Sequence, residues 1–76
     1  MDKWELQDQI IEILSNSDIE WMSTKQIFDE LANAYNTKVT MQNLRSRLTN
    51  LANHSDVENK TEGMGGAKTL YWRVPA

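Results

Sequence analysis

The side chains with chemistry to offer gather between residues 42 and 50. Gln42, Asn43, Ser46 and Asn50 supply amide and hydroxyl groups, and Arg45 and Arg47 stand among them. Asn and Gln amides can pair two-fold with the edge of adenine, and a hydroxyl can meet any base. Arginines on the shoulders of such a face hold phosphates and fix register without reading sequence. No acid occurs from Leu31 to His54, whereas an ordinary solvated helix of this size carries some Glu or Asp. Thr40, just upstream, suits a helix N-cap, and the first amides of that helix are placed to receive a phosphate oxygen. Lys38, Lys60 and Lys68 are further candidates for phosphate contact.

Other chemistries find little to work with. The chain has no cysteine and a single histidine, His54, so thiolate metal sites, disulfides and a cysteine nucleophile are excluded. No residues at ligand spacing accompany His54, which reads as a helix C-cap. The glycine-rich stretch at 62–67 lacks the Lys-Ser/Thr ending of a nucleotide cradle. The expectation is a protein that is not an enzyme and needs no metal or cofactor.

Seventy-six residues make one small domain, 1–76, which buries only about 60% of the surface its unfolded chain exposes. Hydrophobic content of 39% and charged content of 25% are those of a globular chain. No apolar run reaches the roughly 18 residues of a membrane helix. The acidic, amphipathic N-terminus does not resemble a signal peptide, so a cytoplasmic setting is expected. The net charge is −3, but it is unevenly spread. Residues 1–36 hold eight acids and two bases, and residues 37–76 hold six bases and three acids. One phosphate-facing side would produce such a division.

The elements that position these residues follow from periodicity. Leu6, Ile10, Ile13 and Leu14 form one helical stripe, predicting a helix over 4–14 with Asp2 as its cap. The segment 19–22 is short and extended. Ser23-Thr24-Lys25-Gln26 is a capping box, opening a second helix to about Tyr35 through Ile27, Phe28, Leu31 and Ala34. A third helix runs over 41–53, with Met41, Leu44, Leu48, Leu51 and Ala52 within about 100° of arc. The connection of four or five residues forces helices 2 and 3 to pack together, as a helix-turn-helix requires. Strands are predicted at 57–61 and 68–74, the second with Leu70, Trp72 and Val74 on one face. The glycines between them make the pair a β-hairpin.

The order helix, short extended segment, helix, helix, hairpin resembles the winged helix-turn-helix family across 4–74. The resemblance is carried by Ser23-Thr24-Lys25-Gln26-Ile27-Phe28, by Val39-Thr40-Met41-Gln42-Asn43-Leu44-Arg45-Ser46-Arg47-Leu48, and by Lys68-Thr69-Leu70-Tyr71-Trp72-Arg73-Val74. Small bacterial, phage and plasmid regulators look similar. It implies an α+β fold of three helices followed by a two-stranded wing. Helix 3 would lie in the major groove and the wing against the adjacent backbone or minor groove.

The leading expectation is therefore a sequence-specific regulator, repressor or activator, of double-stranded DNA. Gln42, Asn43, Ser46 and Asn50 would face base edges, and Lys38, Thr40, Arg45, Arg47, Lys60 and Lys68 would touch phosphate. Met64, between two glycines, reads as a mobile loop residue rather than a groove-inserting wedge. Trp21 and Trp72 are expected in the core. Trp4 and Ile11 lie off the main stripe of helix 1, where they either meet Trp72 or Ile19 within the monomer or form a homodimer seam. The dimer is preferred, since two half-sites would add affinity. The alternative is a protein-interaction module of the same fold, a phage inhibitor or adaptor, using the acidic face of helices 1 and 2 around Glu5, Asp8, Glu12, Asp29 and Glu30.

Overall fold

The computed structural model describes residues 3–63 and 68–75, with side chains from Glu5 onward. The helices are α1 (Lys3–Asn16), α2 (Thr24–Ala34) and α3 (Met41–Asn53), and the strands are β1 (Met22–Ser23), β2 (Glu58–Glu62) and β3 (Thr69–Arg73). They follow one another as α1-β1-α2-α3-β2-β3. The result is an α+β fold with winged-helix topology, three helices followed by a hairpin that packs with β1. Asp2 and Met64 lie outside the described residues.

Each helix buries the stripe its periodicity marks. Leu6, Ile10, Ile13 and Leu14 of α1, Ile27 and Leu31 of α2, and Leu44, Leu48 and Leu51 of α3 join Met22, Val57 and Trp72 in one core. Ile10, Ile27, Leu31, Leu44 and Leu48 are wholly excluded from water. Burying an aliphatic side chain of this size contributes about 1.5–3 kcal/mol, which compensates for the small size of the domain.

The helix ends are set by local chemistry. The Ser23 hydroxyl accepts from the Gln26 amide at 3.1 Å and the Gln26 side chain accepts from the Ser23 amide at 2.8 Å, a complete capping box. Thr40 Oγ1 accepts from the Asn43 amide at 3.1 Å. Both caps satisfy donors that a helix start leaves unpaired. At the far end of α3, His54 is the C-cap and Ser55 turns left-handed at φ 64°. The Ser55 amide then donates to Ala52 and the Asp56 amide to Leu51, which is the paired closure of a Schellman motif. After α2, Asn36 takes the left-handed turn at φ 53°, a conformation Asn tolerates. The buried Thr37 that follows donates its hydroxyl to Gln9 Oε1 at 2.7 Å, tying the α2–α3 connection to α1.

β3 is the central strand, flanked by β1 and β2 in antiparallel register. The expected short extended segment is thus a third strand, moved to Met22–Ser23 by its pairing with Trp72 and Tyr71. Trp72 is buried and its indole N–H donates to Thr24 Oγ1 at 2.9 Å. That bond joins the central strand to the first residue of α2.

Trp21 departs from expectation. Successive strand residues point to opposite sheet faces; Met22 faces inward beside Trp72, so Trp21 is turned to the outer face. There the Lys60 ammonium sits 4.7 Å and the Arg73 guanidinium 4.5 Å from the ring centroid, positions suited to cation–π attraction. Leu70 is also outside the core, 38% exposed. Of the trio expected on one face, Trp72 is buried and Val74 packs against the core from its margin.

Two substitutions test these links. Thr24→Val keeps the shape but leaves the buried indole N–H without its acceptor, and should cost about 1–3 kcal/mol. Ser55→Gly relieves a left-handed Cβ and should add about 1 kcal/mol. For a domain this size each kcal/mol moves the thermal midpoint by about 4–8 °C, readable by circular dichroism.

Candidate nucleic-acid interface

The exposed side of α3 follows from which side is buried. With Leu44, Leu48 and Leu51 turned inward, Gln42, Asn43, Arg45, Ser46, Thr49 and Asn50 all face solvent. Arg47 is half-buried on one shoulder, and Lys38 is exposed in the connection before the helix. This face carries amides, hydroxyls and guanidinium groups and no carboxylate.

Arg45, on the other shoulder, lines a concavity of about 460 Å³. Its walls come from three elements: Ser23, Thr24 and Lys25 at the start of α2, Met41 and Arg45 at the start of α3, and Lys68, Thr69 and Leu70 at the start of β3. Three cations therefore converge from residues far apart in sequence. Among the described residues no acid lines the concavity, and none of the three cations has an ion-pair partner. The start of α2 opens into the same space, adding the positive end of its dipole. Anionic oxygens are the natural complement of such a surface.

The structure brings together Gln42, Asn43, Arg45, Ser46 and Asn50 on α3 with Thr40 at its N-cap, and Lys68 lines the same concavity as Arg45. Lys60 lies elsewhere, on the outer face of the sheet, bonded to Glu62 at 2.9 Å and stacked on Trp21. Arg73 occupies the same outer face, donating to Glu58 at 2.7 Å and pairing with Glu20. Those carboxylates, the Glu58 hydrogen bond foremost, hold its guanidinium charged to even higher pH than usual. Lys25 is the member that sequence reasoning passed over. It stands in the acidic half of the chain, and only the packing of α2 against α3 and β3 brings it to Arg45. Ile11 is half-buried and packs against the core, while the Trp4 side chain lies outside the described residues.

The chain matches no family model, no curated protein and no solved structure. Among the described residues there is no grouping of three or more His, Asp or Glu able to hold a metal ion. No helix there is long and apolar enough to cross a membrane.

The opposite sign of charge collects around Tyr35, the C-cap of α2. Its phenol is held above the ordinary value of 10.0, first by burial and then by the carboxylates of Glu12 and Glu30. The folded form thus keeps the phenolic proton more tightly than the unfolded chain does. The associated stability is intact below the unfolded value and is lost as pH rises through the higher folded value. Tyr35→Phe should remove that part of the alkaline loss, seen as a flatter thermal midpoint above about pH 10.

Proposed function

We propose that this domain binds double-stranded DNA as a sequence-specific transcriptional regulator, with α3 entering the major groove and the β2–β3 hairpin lying along the adjacent backbone. The observation that carries the reading is the convergence of Lys25, Arg45 and Lys68 beside an exposed helix face free of acids. Gln42, Asn43, Ser46 and Asn50 would address base edges, the amides suiting adenine. Lys38, Thr40, Arg45, Arg47 and Lys68 would hold phosphates, joined by Lys25 from the start of α2. Lys60 reaches a phosphate only by leaving Glu62 and Trp21, so its share is the smallest. Acids on α1 and α2 would orient the encounter by repelling the duplex from the far side. A homodimer would present two copies of α3 to successive half-sites.

Binding to a random duplex pool followed through a salt series tests the proposal. About five phosphate-neutralising bases per chain predict a log–log slope near −4 to −5 for a monomer and about double for a dimer. Arg45→Ala and Lys68→Ala should each weaken binding across all sequences and reduce the slope by about one. Asn50→Ala should instead relax selection at one base pair, costing about 1–3 kcal/mol on the preferred site. Absence of binding at low salt, or a slope unmoved in the Arg45/Lys68 double variant, would overturn the assignment.

A further inference from the structure

A second concavity, of about 400 Å³, opens between the far ends of α1 and α2. Ile13 and Met22, each only 5% exposed, form its floor. Ala34 and Tyr35 make one wall, and Ile19, 49% exposed, stands at the other. Ile19 is held in that position by a tight turn in which its amide donates to Ser17 Oγ at 3.0 Å. Ile19 and Leu70 are the large hydrophobic side chains most open to water among the described residues, and Leu70 belongs to the cationic concavity.

The charged residues of the rim are all acids, beside the neutral Asn16 and Ser17. Glu12, Asp18 and Glu30 border the groove, no base lines it, and none of the three has an ion-pair partner among the described residues. Neither α1 nor α2 carries a basic residue in its last turn, so the negative ends of both helix dipoles are left uncompensated beside the groove. Burial is the first cause of the upward displacement of the Tyr35 ionisation, and the carboxylates of Glu12 and Glu30 add to it. Duplex DNA and acidic proteins are repelled from this face. A groove with an apolar floor and a carboxylate rim complements an aliphatic side chain flanked by cations, whose methylene stems also cover apolar surface.

We propose that the Ile13–Met22–Ile19 groove docks a basic segment of a partner protein, one aliphatic anchor seated on the floor and flanking Lys or Arg side chains paired with Glu12, Asp18 and Glu30. This site lies apart from the cationic concavity and does not depend on the DNA reading. It narrows an acidic face spread over two helices to three carboxylates around one anchor position.

Fluorescence anisotropy with three labelled peptides of about a dozen residues tests the docking site. One carries Leu anchors flanked by Lys and Arg, the second has the anchors flanked by Glu, and the third has the basic residues with Ser in place of the anchors. Only the first should bind. Ile19→Ser and Glu30→Lys should each weaken it by about fivefold or more, with the circular dichroism melt unchanged because both side chains are exposed. Asp18→Lys provides a check on a residue outside the helices. Duplex binding should survive Ile19→Ser, and peptide binding should survive Arg45→Ala with Lys68→Ala, so the two sites fail separately. Binding of the Ser peptide as tightly as the Leu peptide would overturn the proposal, reducing the face to diffuse charge. So would indifference to Ile19→Ser and Glu30→Lys, or no binding of the first peptide at low salt. Concentration-dependent self-association of the protein alone, abolished by Ile19→Ser, would assign the groove to a second copy and overturn it as well.

Discussion

The arrangement depends on how Trp72 is held. Its ring closes the core where the sheet meets the helices, its backbone pairs with Met22, and its indole N–H is satisfied by Thr24 at the first turn of α2. A buried indole donor without a partner is costly, so the hairpin has one favourable seat against the helices. Lys68 lies four residues before Trp72 and Lys25 directly follows Thr24. The bond that seats the tryptophan therefore also sets the separation of two of the three cations in the basic concavity.

Charge is divided by the same packing. Glu12 and Glu30, with Asp18 just beyond α1, border the groove between the far ends of α1 and α2, and the start of α2 joins α3 and β3 on the basic side. A small net charge thus conceals two concavities of opposite sign, at opposite ends of α2. The outer sheet face is a third environment, where Lys60 and Arg73 are occupied by Glu62, Glu58, Glu20 and the ring of Trp21. These exposed ion pairs contribute little individually. They engage two bases on the sheet, whereas Arg45, Lys25 and Lys68 have no carboxylate partner among the described residues. Glu58, Lys60 and Glu62 also place charges along the open edge of β2, which discourages strand pairing with other chains.

Much of the fold is legible in the residues because the signals are local and agree with one another. The stripe at Leu6, Ile10, Ile13 and Leu14 marks α1, the Ser23–Gln26 pair marks the start of α2, and Thr40 marks that of α3. The hairpin follows from a β-rich run after a cluster of glycines. The exposed chemistry of α3 is equally readable, since a helix that buries Leu44, Leu48 and Leu51 must turn Gln42, Ser46 and Asn50 outward. Trp21 is not legible in this way, because it stands outside the core beneath Lys60 and Arg73. Composition counts a tryptophan as core, but the strand beside it has room on its inner face for only one of two neighbours, and Met22 occupies it.

Local order thus belongs to the sequence: the helices, their caps, the hairpin and the acid-free face of α3 rest on interactions between residues close along the chain. Tertiary structure alone decided which charges meet. Lys25 joins Arg45 and Lys68, Lys60 is withdrawn onto Trp21, and Glu12, Asp18 and Glu30 surround one apolar groove with Ile19 at its edge. The physical reason is that Coulomb interactions and burial depend on distance through space, and no periodicity along the chain encodes the distance between α2, α3 and β3.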